Sequence, residues 1–238
     1  MCGFYSFLTD TKGNRYAFTK EMREDSLSGK SNLRIDSHAS IAQHYFGDSK
    51  KEYRYNKFEF SPLTRELKLV KMNLGFDDSE LIDIDELLAE VKLAVPQLIM
   101  KPIVHPFKDV KFEGVVNEKV LLLLKQWVSV RDSILAYIRD SVCDSVGDSV
   151  GDFVCDSVLD SVRWLVFYSI GGSVEDSLWA YASSFFNIDK WKYAEHEIGV
   201  NPYQCAIDLW EMGLIPSDNG GKWRLHSHKG IVWSGEIK

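Results

Sequence analysis

A four-residue repeat is the feature that most limits what this chain can fold into. Valine, isoleucine or leucine stands at every fourth position from Val130 to Leu178, and aspartate often stands two positions earlier. In a strand, residues two apart point to the same face, so neither face could be buried cleanly. In an α-helix the apolar stripe drifts by about 40° per repeat, so such a helix needs neighbours on several sides.

The sequence on both sides of the repeat favours the helix. Leu121–Ile138 and Ser177–Phe186 have helical patterns in the same phase as the repeat. The glycines within the repeat oppose a continuous helix, because each costs about 1 kcal/mol relative to alanine. We therefore expect two or three helices, broken near Gly147–Gly151 and near Gly171–Gly172, with valines inward and aspartates outward. A β-solenoid with one tetrad per edge is the alternative.

The N-terminal part combines hairpin and helix signals. Apolar segments around turn formers predict one β-hairpin over Phe4–Phe18 and a second over Lys57–Val70. Asp36-Ser37 and Gly47 are typical of the two ends of a short helix between them. The polar stretch Glu21–Arg34 is expected to be a surface loop, and residues 79–95 are expected to form a further helix.

The whole chain is accordingly predicted to be α+β. A helix is expected after Asn201-Pro202, followed by a turn over Ser217–Gly221 and a β-hairpin. The expected organisation is an N-terminal ββαββ-like domain (1–100), a proline-containing connector (101–116), a mainly helical tetrad-repeat region (117–190) and a C-terminal helix plus β-hairpin (191–238).

Composition excludes several classes of protein. The net charge of -7 argues against direct nucleic-acid binding, which usually needs a basic stripe. The four cysteines form no C-x-x-C pair, which indicates reduced thiols in a cytoplasm. The first ten residues lack a basic segment before Asp10, so no signal peptide is expected. The longest strongly apolar run, Val120–Leu124, is far too short to span a bilayer.

Enzymatic motifs are scarce. Met1-Cys2-Gly3 resembles the start of class II glutamine amidotransferases, in which removal of methionine frees a cysteine whose own amine serves as base. The Asn-Gly and Arg motifs of that family are not visible, so a Cys2 amidohydrolase remains an alternative only. Phosphate-loop and dinucleotide motifs are absent from the sequence, and we expect no cofactor.

No metal site is predicted either, because the histidines do not group. His38 and His44 are six residues apart, whereas ligands on one helix face stand three or four apart. His226 and His228 alternate and would share a strand face, but two histidines do not make a metal site. Trp223, Arg224 and Trp233 near the end of the chain are candidates for a binding surface or for core residues.

The aspartates of the repeat are the strongest binding candidates. Between residues 131 and 178 there are nine acidic and three basic side chains. On a helix these carboxylates would recur about every 6 Å, close to a phosphate repeat. A solvated polar face is the alternative. The candidate binding residues are Asp140, Asp144, Asp148, Asp152, Asp156, Asp160, Trp223 and Arg224.

Most of the chain resembles a group of uncharacterised proteins from gut bacterial, phage and metagenomic sequence. The resemblance rests on the tetrads and on Asp36–Ala42, Asn56–Leu69, Trp179–Ser184 and Ile207–Ser227. It implies a phage-like setting in the cytoplasm of a bacterial host and no particular cofactor or catalytic residue.

We therefore expect a phage-type accessory protein that acts by protein binding and inhibits a host-defence enzyme or a basic nucleic-acid-binding enzyme of the host through its acidic surface. A self-assembling repeat protein that forms homo-oligomers is a further alternative. Direct binding to nucleic acid or membrane is not expected.

Overall fold

The structure, a computed structural model, describes residues 5–131, 134–147, 150–160, 174–191 and 196–237. As predicted, it mixes helices and strands: an antiparallel N-terminal sheet, central helices and a C-terminal antiparallel sheet. The chain divides into two compact units. The first contains residues 1–100 and 143–153, and the second contains residues 101–142 and 154–238.

The sheet of the first unit joins the two predicted hairpins side by side. Its strands are β1 (Tyr5–Thr9), β2 (Arg15–Ala17), β3 (Asn56–Ser61) and β4 (Glu66–Lys71), in the order β2-β1-β3-β4. All neighbours are antiparallel. Strands β1 and β3 pair with each other in the middle and so join the two hairpins into one sheet. Its edges are β2 and β4.

Both faces of this sheet are covered near β1, which is buried at every position. On one face Leu8, which pairs with Tyr16, packs against Ile41. On the other face Phe7 stacks on its cross-strand partner Phe58 with ring centroids 5.2 Å apart. Such aromatic pairs stabilise a sheet beyond the area that they bury.

Three helices accompany the sheet: α1 (Lys20–Leu27), α2 (His38–Phe46) and α3 (Ile84–Ala94). Helix α2 is the predicted helix, capped by Ser37 and ended by Gly47 in the left-handed conformation. Helix α3 is shorter than expected because a 3-10 turn occupies Ser79–Leu81 and Asp83 caps the helix proper.

Helix α1 corrects the expectation of a loop over Glu21–Arg34. Thr19 caps it by accepting a hydrogen bond from the Met22 backbone N–H at 3.3 Å. Its only buried side chain is Arg23. A helix held by one buried ion rather than by an apolar stripe has no 3.6-residue pattern, so periodicity could not reveal it.

The described part of the repeat is helical except at Gly147. Helices α4 (Glu118–Arg131) and α5 (Ile134–Val146) precede Gly147, helical residues 150–160 form α6, and α7 spans Val174–Ser183. The first predicted break is present, since Gly147 has a φ of +89°. The second, at Gly171–Gly172, lies outside the described residues. No solenoid occurs in the described ranges.

The break explains how a period of four fits a helix. The apolar tetrad residues of α5 and α6 with described side chains are at most 3% exposed: Ile138, Val142, Val146, Val150, Val154 and Val158. Three tetrads accumulate a drift of about 80°, which stays within the apolar face of an ordinary helix. Interrupting the helix at Gly147 therefore stops the stripe from winding around it.

The end of the second unit has one more strand than expected. Helix α8 (Gln204–Glu211) is followed by β5 (Ile215–Asn219), β6 (Lys222–Ser227) and β7 (Gly230–Gly235), an antiparallel sheet in chain order. The turn that was expected over Ser217–Gly221 contains fewer residues than predicted. Gly220 and Gly221 have φ values of +62° and +90°, so two residues suffice to reverse the chain.

Candidate functional site

The tetrad aspartates lie largely on the surface. Asp140 and Asp144 on α5 and Asp156 and Asp160 on α6 are exposed, whereas Asp152 is half-buried. Asp148 lies outside the described residues. The valines two positions after Asp140, Asp144, Asp152 and Asp156 are buried, so on each helix the period separates an apolar inner stripe from outer carboxylates.

Helix α7 departs from this arrangement. Asp176 is in the same phase as the other tetrad aspartates, yet it is only 9% exposed. Its neighbours Val174, Ser177 and Leu178 are buried too. This helix is buried nearly all round, which is typical of a core helix rather than a surface one. The outward row of carboxylates therefore belongs to α5 and α6.

The other predicted binding residues are less accessible. Trp223 is buried, and Arg224 is half-buried on β6 opposite Ser217. Trp233 is half-buried on β7. Cys2, the residue of the amidohydrolase alternative, lies outside the described residues. The C-terminal sheet thus uses Trp223 in its own packing.

The two C-terminal histidines have different partners. His226 Nε2 lies 2.7 Å from Ser217 Oγ, and His228 Nε2 lies 3.7 Å from Glu113 Oε1. Burial, together with Arg224, lowers the pKa of His226, so its imidazole is neutral at pH 7. In the described part of the chain, no three metal-binding side chains come together.

A serine paired with a neutral histidine is one part of a hydrolytic site, but this pair lacks access. Ser217 and His226 are 6% and 7% exposed, so a substrate cannot reach the hydroxyl. Within the ranges described, no carboxylate contacts His226 to orient it, as a triad requires. The contact joins two strands of the C-terminal sheet, and we interpret it as structural.

A buried ion pair connects α1 to the segment before α2. Arg23 donates from both terminal nitrogens to the two carboxylate oxygens of Asp36, with an Nη1–Oδ2 distance of 2.9 Å. The two side chains are 4% and 0% exposed. The Arg23 guanidinium also lies over the ring of Tyr5, 5.6 Å from its centroid.

The surroundings of the pair show how strongly it is enclosed. Burial raises the pKa of Tyr5 far above its usual range. Arg23 Nε has no hydrogen-bond partner among the described residues. Asp36 has a positive φ of +57°, a conformation that Asp and Asn tolerate better than most residues. These features describe an anchor for α1 rather than a reactive group.

A second buried network was not predicted from the sequence. Asn56, fully buried at the start of β3, accepts hydrogen bonds from the backbone N–H groups of Asn73 and Leu74 at 2.8 and 2.9 Å. It donates to the Phe76 carbonyl at 2.9 Å and to Asp78 Oδ1 at 2.6 Å. All the hydrogen-bonding capacity of its amide is therefore used.

Asn73 extends the network to the turn before β3. Its side-chain nitrogen donates to the Tyr55 carbonyl at 2.8 Å and to the Glu52 carbonyl at 3.4 Å. The backbone at residues 52, 55, 73, 74 and 76 is thereby joined by two asparagines. Asparagine is common in turns, so residue type alone does not distinguish these two from other loop asparagines.

Large apolar side chains are exposed around this network. Tyr53, Met72 and Phe76 are 66%, 51% and 44% exposed. The Lys57 amine lies 4.7 Å from the centroid of the Tyr53 ring and 2.8 Å from Glu52 Oε2. We call the surface formed by Tyr53, Lys57, Met72 and Phe76 the Asn56 surface.

Comparisons with protein families, with curated proteins and with solved structures found no match to this chain. Among the described helices, none combines the length and the apolar character that crossing a bilayer requires.

Proposed function

We propose that this chain is a phage-type accessory protein that acts by binding a basic host protein, such as a nucleic-acid-handling enzyme, and inhibiting it. The observation that supports this proposal is the outward placement of Asp140, Asp144, Asp156 and Asp160 above a buried valine stripe. A helix advances 1.5 Å per residue, so carboxylates four residues apart recur about every 6 Å along its axis.

The negative charge of the repeat also favours a basic partner. The nine acidic and three basic side chains between residues 131 and 178 account for most of the net charge of -7. Carboxylates in a row attract a basic surface, accelerate association and repel other acidic proteins. A basic surface that normally binds a nucleic-acid backbone is a partner of matching charge.

The test removes the row of charges without changing helix propensity. Replacing Asp140, Asp144, Asp156 and Asp160 with asparagine changes the net charge by four and leaves similar helix formers. We expect the tagged variant to lose the basic partner that the parent protein captures from a bacterial lysate at low salt. The salt dependence of capture should flatten as well, because fewer charges take part.

The control changes the same number of charges elsewhere. Glu21, Glu80, Glu197 and Glu236 are exposed and lie outside α5 and α6. The variant with glutamine at these four positions should capture the partner as the parent does. Equal capture by the aspartate variant and the parent would refute a role for the tetrad carboxylates. Equal loss of capture in both variants would show that the net charge of the protein, rather than the position of these carboxylates, determines capture.

A further inference from the structure

Strand β4 is an edge of the N-terminal sheet, and four of its six residues are exposed. Within the described ranges β4 pairs with β3 and with no other strand. Glu66, Lys68, Val70 and Lys71 are exposed, while Leu67 and Leu69 are half-buried. An edge of six residues offers the backbone N–H and C=O groups that an added strand needs.

The Asn56 surface adjoins this edge through the chain itself. Met72 follows β4 directly, and the next residue, Asn73, is held by the Asn56 amide. Lys57, which lies over the Tyr53 ring, is the cross-strand partner of Lys71. The exposed apolar groups are therefore fixed beside the edge by buried hydrogen bonds, so binding would not have to order them first.

Positive charge is concentrated here, in contrast to the rest of the chain. Residues 48–71 contain seven lysines and arginines and four acidic residues, in a chain with a net charge of -7. Lys50, Arg54, Lys68 and Lys71 are exposed, and none forms an ion pair within the part of the chain that the structure describes.

We propose that the β4 edge and the Asn56 surface together bind an extended acidic segment of another protein, which adds a fifth strand to the sheet. The open edge favours a peptide over a nucleic acid, because only a peptide supplies N–H and C=O groups to pair with it. The cations favour acidic side chains, and Tyr53, Met72 and Phe76 favour apolar ones between them. No tetrad aspartate belongs to this surface, and the partner that it selects is acidic, whereas the proposed partner of the tetrad aspartates is basic.

The test uses defined peptides rather than an unknown partner. The probe is a fluorescein-labelled octapeptide in which Asp or Glu alternates with Val or Leu, and its counterpart carries Lys or Arg at the charged positions. Fluorescence anisotropy should show binding of the acidic peptide only. A third peptide has the acidic sequence with all of its backbone nitrogens methylated. It keeps every charge and side chain but loses strand pairing, so it should not bind.

Variants of the protein locate the site. Lys68→Glu with Lys71→Glu should weaken binding of the acidic peptide by at least about tenfold, since both attractive charges become repulsive. Lys119→Glu with Lys125→Glu makes the same change at exposed positions of α4 and should leave binding unchanged. The aspartate-to-asparagine variant of α5 and α6 should also bind the peptide as the parent does, which separates this proposal from the proposed function.

Three results would overturn the proposal. The first is no binding of the acidic peptide at concentrations up to about 1 mM. The second is equal binding of the methylated peptide, because strand addition would then play no part. The third is tighter binding of an oligothymidine than of the acidic peptide, which would make this surface a nucleic-acid site.

Discussion

Buried side chains differ in kind between the N-terminal sheet unit and the tetrad helices. In the former, single polar residues hold distant segments together: Asp36 binds Arg23, and Asn56 binds the loop after β4. In α5 and α6, most of the buried side chains are valine or isoleucine at positions four residues apart, and Ser141 and Cys155 are buried beside them. The first region depends on unique contacts, whereas the second depends on a pattern in which positions are equivalent.

This difference affects how each region responds to substitution. A buried polar contact has one partner in one geometry, and removing that partner leaves a desolvated group unsatisfied. A valine in a repeat contributes apolar contact that neighbouring tetrads also supply. We therefore expect large, position-specific losses in the sheet unit and moderate, uniform losses in the tetrad helices.

The largest effect is expected for Asp36→Asn. Asparagine tolerates the positive φ of this residue, so the backbone can stay while the Arg23 charge loses its counter-ion. Breaking a buried pair in this way costs about 3–5 kcal/mol of unfolding free energy. Urea denaturation would measure it.

The control for that prediction is an exposed pair in the same unit. Lys30 Nζ lies 3.5 Å from Asp25 Oδ1, and both side chains are more than half exposed. Asp25→Asn should cost less than about 1 kcal/mol. Similar losses in both variants would show that burial does not set the value of the Arg23–Asp36 pair.

A smaller loss of unfolding free energy is expected for Asn56→Ala, which removes the side-chain amide but leaves in place the backbone groups that the amide binds. The N–H groups of Asn73 and Leu74 lose their acceptor, and unsatisfied buried groups cost about 1–3 kcal/mol. We expect about 2–3 kcal/mol by urea denaturation, with faster amide exchange at residues 73 and 74. Unchanged exchange there would contradict a clamping role for Asn56.

Substitution of a single tetrad valine should lower the unfolding free energy less than Asp36→Asn or Asn56→Ala does, and by about the same amount at each position. Val154 and Val158 are both fully buried on α6. Removing two buried carbons costs about 1.6 kcal/mol, partly offset by the higher helix propensity of alanine. Val154→Ala and Val158→Ala should each lose about 1–2 kcal/mol, measured by the same denaturation. Values that differ by more than about 1 kcal/mol would contradict the equivalence of tetrad positions.

The smallest change in unfolding free energy is expected for substitution of His226, and this change depends on pH. Burial lowers the pKa of His226 in the folded protein, whereas the unfolded chain has the ordinary value near 6.5. Below that value the unfolded state binds more protons, so stability is full above pH 6.5 and is lost as the pH falls toward the folded pKa.

His226→Gln should remove part of this dependence. The difference in unfolding free energy between pH 7.5 and pH 5.5 or so should be smaller in the variant than in the parent, because glutamine does not titrate. Denaturant titrations at the two pH values would measure it. An equal pH dependence in both proteins would place the titration on other groups.

Local patterns accounted for much of the fold. The period of four predicted helices with valines inward, and Gly147 ends α5 where the break was expected. Turn formers between alternating residues predicted both N-terminal hairpins, and Gly213 follows α8 with a positive φ. These signals succeed because helices and hairpins are stabilised by residues close together in sequence.

The missed features depend on contacts between residues that are distant in sequence. Helix α1 is anchored by an ion pair between Arg23 and Asp36, which are 13 residues apart. The Asn56 surface depends on an asparagine 17 residues from the loop that it holds. An isolated Arg or Asn looks the same in sequence whether it is buried or solvated, so periodicity carries no information about these sites.

By itself, then, the sequence determined the helical repeat, its break and the separation of valine from aspartate, because each follows from a local period or a backbone preference. Tertiary structure alone decided the strand order β2-β1-β3-β4, the burial of Arg23, Asp36 and Asn56, and the accessibility of the β4 edge. These depend on which distant segments meet, and burial changes the energy of a charge or an amide far more than that of a valine.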